Sequence, residues 1–424
     1  MQPPAHVIGI TRVLEDAGYE AWCVGGGVRD ALLGIPNLDW DLTTSARPQQ
    51  VRALFRRTVP VGIEFGTVGV LDDNNVMHEV TTFRADVETD GRHAVVRFGD
   101  SLDEDLARRD FTMNAIAYSP SRDELRDPFG GQDDIASATL RAVGVAKERM
   151  REDRLRALRA IRFAARFGFR MDSETWQAIV SSAPHLTRLS PERVQQEIVK
   201  TMRQVARPSG AFGLWRESGA FEQLIPSLTG ITDVELLALD HLRLPLLARR
   251  PQRLQARLTG LFSATRRGTV LATLKSLRFS NADAAWVGGL VERWHDIGHV
   301  MKESLMQPVS PPDAVLRGWV GRVGRTRMAP LLRLADAHWW AERQSGRRAP
   351  VRERVESVYR RTVRIAYRDP VEVSDLAVNG DDLLRAGLTG SRLGEALRSL
   401  LQYVLEDPAR NTRETLLRHA ETLA

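Results

Sequence analysis

Val24-Gly25-Gly26-Gly27-Val28-Arg29-Asp30, followed by Asn37-Leu38-Asp39-Trp40-Asp41-Leu42, is the stretch on which the reading turns. In an extended strand, side chains at i and i+2 point to one face, so Asp39 and Asp41 can grip one metal ion or bridge two. Hard carboxylate oxygens of this kind suit Mg²⁺. The glycines ahead of them let backbone N–H groups approach a triphosphate with no Cβ in the way, and Arg29 adds a planar fork for phosphate oxygens. A glycine turn followed by a solvated acidic loop would use the same letters. The close order of the two halves favours a site where nucleotide phosphates and metal share one corner, the arrangement of a metal-dependent nucleotidyl transferase.

Working outward, 424 residues exceed one ordinary core and imply two to four domains, with 43% hydrophobic residues to fill them. Sixty Lys plus Arg against 54 Asp plus Glu give a net charge of +6 and a pI near 9.9. That balance points to an anionic partner, nucleic acid ahead of a membrane surface. A single cysteine, Cys23, excludes an internal disulfide and a multi-cysteine zinc site. The first twenty residues lack a basic start and apolar run, and no stretch approaches the roughly 18 apolar residues that span a bilayer. A cytoplasmic protein is the expectation.

The first 145 or so residues mix short β-patterned runs with helices. Strands are expected at 21–24, 38–43, 65–71, 76–83 and 115–118, between Gly, Asp and Asn turn signals. From Lys147 onward apolar residues recur at helical spacing. Breaks are expected at Arg207-Pro208-Ser209-Gly210, near 307–312 and near 368–370.

A two-metal phosphoryl displacement calls for a third acid, and Glu79, in the strand pattern Met77-His78-Glu79-Val80-Thr81, is the best candidate. In Asp105-Leu106-Ala107-Arg108-Arg109-Asp110, Asp110 can cap the next segment while a guanidinium reaches a triphosphate or sugar. The segment Glu152-Asp153-Arg154-Leu155-Arg156-Ala157-Leu158-Arg159-Ala160-Ile161-Arg162 places Asp153, Arg156, Arg159 and Arg162 three apart, along one side of a helix. A carboxylate accepts from the amino group of cytosine or adenine, while a guanidinium donates to the neighbouring ring nitrogen. An Asp153 and Arg156 pair would pass C and A and reject U and G.

Taken in order, Gly26-Gly27-Val28-Arg29-Asp30 with Asp39 and Asp41, then Arg108-Arg109-Asp110, Asp127-Pro128-Phe129-Gly130-Gly131 and Glu152-Asp153 with Arg156 resemble four motifs of the class II tRNA nucleotidyltransferases, the CCA-adding enzymes. Ser190-Pro191-Glu192-Arg193 with Glu197 resembles the fifth, helix-stabilising motif. The match spans roughly residues 20–205; Asp375-Leu376-Ala377-Val378-Asn379-Gly380 and Leu405-Glu406-Asp407-Pro408 resemble the tail of bacterial members. The resemblance implies an α+β fold: a polymerase-β-like head with a mixed sheet over 1–145, then an all-helical neck (146–206) that recognises the base, body (207–307) and tRNA-binding tail (308–424).

It also implies Mg²⁺-dependent addition of CCA to the 3′ end of tRNA from CTP and ATP without a nucleic-acid template. Asp39 and Asp41 would bind Mg²⁺ and act with Glu79 in catalysis. Gly26 and Arg29 would take the triphosphate and Arg109 the nucleotide. Asp153 and Arg156 would read the base, with Arg159 and Arg162 buttressing them or touching the nucleotide. The tRNA acceptor arm is the expected partner, a membrane is not, and oligomeric state stays open. Residues 86–98 lie where the family has a flexible loop implicated in the switch from C to A. Relatives that add only CC or only A, poly(A) polymerases, and a non-catalytic RNA-binding protein are the alternatives. In the last, the metal acids and base-reading pair would not be needed. His295-Asp296 comes too late in the chain to be the phosphohydrolase site some relatives carry.

Overall fold

The computed structural model describes residues 1–36, 39–89, 94–99, 101–242 and 250–422, and falls into two compact units. The first comprises Met1–Ala206 with Gly210–Pro226, the second Arg207–Ser209 with Ser227–Ala424.

The first unit is organised by strands β1 (Ala21–Val24), β2 (Asp41–Thr44), β3 (Thr58–Pro60), β4 (Thr67–Leu71), β5 (Met77–Thr82), β6 (Arg84–Thr89), β7 (Ala94–Phe98), β8 (Ala117–Ser119) and β9 (Glu124–Arg126). Among the described residues, seven of them form one sheet in the order β3-β4-β5-β2-β1-β8-β9. The β2–β5 pair is parallel and the other pairs are antiparallel, so the sheet is mixed. Every residue of the inner strand β1 is buried. Its alternation splits the core: Ala21 and Cys23 join Leu42, Val80 and the apolar face of α1 (Ala5–Asp16), whereas Trp22 and Val24 join Phe83, Leu106 and Ala117 on the other face. Burial raises the Cys23 thiol to about 12, making it an inert packing group.

The expected strands 21–24, 65–71, 76–83 and 115–118 correspond to β1, β4, β5 and β8. The strand expected at 38–43 begins only at Asp41; Asn37 and Leu38 lie outside the described residues. The loop expected at 86–98 is largely an antiparallel hairpin, β6 and β7, with a register shift between Asp86 and Glu88. Asp90-Gly91-Arg92-His93 at its centre lies outside the described residues.

Around the sheet lie α2 (Gly26–Leu32), α3 (Pro48–Leu54), α4 (Leu102–Ala107) and α5 (Gly131–Ala136). The chain then turns helical through α6 (Ala146–Glu152), α7 (Leu155–Phe167), α8 (Ser173–Ser182) and α9 (Pro191–Gln204). A two-stranded parallel pair, Thr139–Leu140 with Arg170–Met171, ties the segment before α6 to the turn between α7 and α8. Helix α7 buries Leu155, Leu158, Ile161 and neighbouring alanines, and Gly168 ends it in the left-handed conformation that glycine tolerates. Ser190 accepts from the Arg193 N–H to cap α9, with Pro191 at its first position.

The second unit is helical throughout its described residues. The expected breaks fall between helices: Pro208 opens one, Met306 and Asp313 bracket the second, and Arg368 closes the helix before the third. Its last portion has a separate core of Leu383, Leu400, Val404 and Leu416.

Candidate active site

Three neighbouring strands bring the acids together. Val24, the last residue of β1, pairs with Asp41, the first of β2, and the parallel register of Leu42 with Val80 sets Asp41 beside Glu79. Asp39 precedes the strand, yet the chain still alternates there: Asp39 and Asp41 are exposed and Trp40 between them is buried. The Asp41 carboxyl, though open to solvent, is pushed up to about 6 from 3.8. Desolvation is the largest cause, followed by the Asp39 charge; Arg109 and Arg29 pull the other way, and Glu79 adds to the rise. Two neighbouring carboxylates that raise the cost of ionising Asp41 make a site that a divalent cation would relieve.

The glycine turn lies against this cluster. Gly25 has φ +71°, and a Cβ there would stand 3.0 Å from Arg109 Nη1 and 3.5 Å from Asp41 Oδ2. A side chain on Gly27 would meet the Trp40 ring at 2.9 Å, while one on Gly26 would find only Arg29 Nη2, at 3.6 Å. Gly25 and Gly27 are therefore the positions that demand glycine, and neither was singled out by the motif reading that put Gly26 at the triphosphate.

Arg29 is nearly fully buried. Its Nε and Nη2 donate to Asp30 Oδ1 at 2.8 and 2.5 Å, and Nη1 donates to Asn114 Oδ1 at 2.6 Å. The guanidinium also lies over the rings of Phe163 and Phe167. Its fork is thus committed to protein groups, and its charge is what reaches Asp41.

The second arginine block hangs on a buried carboxylate. Asp105 accepts from Arg108 Nε at 3.0 Å through Oδ1 and from Arg109 Nη2 at 3.1 Å through Oδ2. Desolvation opposes its charge, but the two guanidinium groups hold its carboxyl below the usual value. Arg109 also leans on the Asn114 carbonyl at 3.4 Å, and its buried Nε has no hydrogen-bond partner among the described residues. Asp110 accepts from Arg159 Nε and Nη2 at 3.0 and 2.8 Å and from Asn114 Nδ2 at 2.9 Å. Asn114 thereby links Arg29, Arg109 and Asp110. Sequence reasoning missed it because an uncharged amide within an ionic block carries no signal of its own.

Asp127-Pro128-Phe129-Gly130-Gly131 is a clasp. Asp127 accepts from the backbone N–H groups of Gly131 and Gln132, both at 2.8 Å, and Gly130 is left-handed at φ +69°. A Cβ on Gly131 would lie 2.3 Å from the Thr112 carbonyl, so only glycine lets α5 approach the turn that carries Asn114.

Asp153 lies between α6 and α7 rather than on the face shared by the arginines. Its Oδ1 accepts from the Leu155 N–H at 3.0 Å and its Oδ2 from Arg193 Nη2 at 2.7 Å. Arg156 donates to Glu152 Oε2 at 2.6 Å and to the carbonyls of Arg149 and Arg108 at 3.1 and 2.9 Å. Asp153 and Arg156 are each fixed by other partners, Arg156 against the residue preceding Arg109. Arg162 points into the helix packing and donates to buried Glu197 at 2.6 Å. The Ser190–Glu197 segment therefore acts twice, through Arg193 on Asp153 and through Glu197 on Arg162.

Residues 21–141 match the family model described as Poly A polymerase head domain, and residues 168–231 match the model described as Probable RNA and SrmB- binding site of polymerase A. A CCA-adding enzyme of Latilactobacillus sakei is 34% identical, with 98% of each chain covered. One from Geobacillus kaustophilus is 44% identical over 60% of this chain and 62% of its own. Among solved structures, the Bacillus stearothermophilus CCA-adding enzyme in complex with CTP aligns with TM-score 0.74 and 32% identity, covering 100% of this chain and 98% of that one. The Thermotoga maritima enzyme complexed with tRNA, at 21% identity and TM-score 0.68 over 99% of this chain and 95% of its own, shares the fold. With a full-length relative at this identity and the five motifs in place, the chain belongs to the family of CCA-adding enzymes.

Proposed function

We infer that this protein adds CCA to the 3′ end of tRNA, taking CTP and ATP in turn and releasing pyrophosphate. The observation that carries the reading is the convergence of Asp39, Asp41 and Glu79 beside Gly25 and Arg109, with Asp41 electrically coupled to all the charged groups in that corner. Asp39 and Asp41 would hold Mg²⁺, which supplies polarisation of the α-phosphate and offsets charge on the entering and leaving oxygens. Glu79 completes the acidic wall. Gly26 and its neighbours present backbone N–H groups at the start of α2, and Arg29 and Arg109 supply positive charge for the triphosphate.

Asp153 and Arg156 form the base-reading edge, Arg159 is steadied by Asp110, and Arg162 with Glu197 buttresses the helix beneath them. Their chemistry accepts the amino groups of C and A and refuses the carbonyls of U and G. Residues 1–145 serve as the head and 146–206 as the neck, with a body over 207–307 and a tail over 308–424. Body and tail hold the acceptor arm chiefly through phosphates and shape. The cytoplasm is the compartment that fits a tRNA substrate; among the described residues no helix is long and apolar enough to cross a membrane.

Labelled CTP and a tRNA transcript ending before CCA provide the test. The protein should incorporate label, and an Asp39→Ala, Asp41→Ala double variant should lose incorporation by about 10³-fold or more while still retaining tRNA on a filter. Full incorporation by that variant would overturn the assignment.

A further inference from the structure

On the face of the sheet opposite the acids, two imidazoles and a carboxylate converge. His6 projects from α1, His78 from β5, and Asp72 from the turn between β4 and β5. Because strand side chains alternate, His78 faces away from Glu79, its neighbour in the chain. One potential ligand atom from each of the three residues lies within 4.8 Å of the other two. Asp72 Oδ2 is 3.4 Å from His78 Nε2 and 3.8 Å from His6 Nδ1. Both separations exceed those of a good N–H···O bond, about 2.7–3.2 Å. The His78 separation matches the edge of a coordination polyhedron, since metal bonds of about 2.0–2.1 Å at tetrahedral angles put ligand atoms about 3.3–3.4 Å apart, and the His6 ring, at 3.8 Å, would have to draw in slightly to complete it.

The surroundings also suit an ion. Asp72 Oδ1 accepts from the N–H groups of Asn74 and Val76 at 2.9 and 2.8 Å, which aims Oδ2 at the imidazoles. Asp72 and His78 side chains are 5% and 2% exposed, whereas that of His6 is 33% exposed, giving an entry path on one side. The two rings lie 4.6 Å apart, tilted by 35°.

We propose that His6, Asp72 and His78 bind a divalent transition metal of the zinc class, distinct from the ion at Asp39 and Asp41, and that this ion staples α1 to the β4–β5 hairpin. Two imidazoles and one carboxylate favour zinc, cobalt or nickel over Mg²⁺, which takes oxygen ligands. Three protein ligands leave a coordination position for water. The ion lies behind the catalytic strand and stabilises the head.

The test titrates tag-free, metal-stripped full-length protein with Zn²⁺ against a chromophoric chelator, and with Co²⁺ while recording its visible absorption. It uses the Asp39→Ala, Asp41→Ala background so that the catalytic acids cannot contribute. One equivalent should bind, the Co²⁺ bands should be those of a low-coordinate nitrogen and oxygen site, and the melting temperature should rise. Adding His6→Gln, a change at the accessible ligand, should weaken Zn²⁺ binding by on the order of 100-fold and remove the thermal shift. Circular dichroism of the metal-free His6→Gln protein checks that it is folded. Failure of the background variant to bind an equivalent of Zn²⁺, or equal binding with His6→Gln in folded protein, would overturn the proposal and leave the catalytic assignment untouched.

Discussion

Asp41 carries the sharpest consequence at the scale of single residues. A carboxyl raised from 3.8 to about 6 favours the neutral form in the metal-free fold. Its contribution to stability is complete below about pH 4 and is lost as pH rises through about 6. Asp41→Asn should therefore leave the metal-free protein slightly more stable near pH 8, by less than about 1 kcal/mol because the group is solvent-screened, while nucleotide addition is lost. Thermal melts with chelator, paired with activity, check this; destabilisation at that pH would contradict it. The same ionisation makes the apparent Mg²⁺ requirement rise by about tenfold per pH unit below about 6, as protons compete for the ligand. What the residues disclosed in sequence is uneven. The shared face of Asp39 and Asp41 could be read because alternate residues of an extended chain point the same way. The Asn114 partner of Arg29 could not, because it stands 85 positions away. Asp153 sits three positions from Arg156, which suggests a shared helical face, but α6 ends at Glu152 and α7 starts only at Leu155. Asp153 thus belongs to the joint, where its partner comes from α9.

Elements are tied by contacts that sequence periodicity hides. Arg162 and Glu197 link α7 to α9, both with side chains almost wholly buried. Removing one partner strands the other charge, so Glu197→Ala should destabilise the protein by about 3–5 kcal/mol, read as a fall in the urea midpoint. Gly131→Ala drives a methyl into the Thr112 carbonyl and should cost about 1–3 kcal/mol. It should also depress nucleotide addition, since the displaced turn carries the Asn114 that links Arg29 with Asp110. A variant with wild-type stability and activity would show that α5 does not hold that turn. The five inner strands of the seven-stranded sheet were legible from their bounded β-patterned runs. The edge strands β3 and β9 were not, being three residues each with little buried apolar surface. The hairpin β6–β7 reads as a charged loop because its pairing, not its composition, makes it a strand pair.

For the whole molecule, the excess of cations over 424 residues predicts an electrostatic component in binding of the proposed tRNA substrate. Log affinity should fall linearly with log salt, by roughly tenfold or more between about 50 and 200 mM, and a flat response would argue against binding through phosphates. The motifs within residues 21–141 are legible in the sequence because their order constrains that region. The helical remainder was legible as helices and breaks only, since amphipathic periodicity reports a buried face without naming what it packs against. On the proposed function, protein side chains dictate C, C and then A with no template strand. Three tRNA transcripts, ending before CCA, after C and after CC, would be incubated with Mg²⁺ and each nucleotide singly and together, and the products sized on a sequencing gel. Each transcript should grow to CCA and no further, with UTP and GTP unused. Growth of the CC-ended transcript alone by one A, arrest after CC, or an unbounded run of A would contradict it.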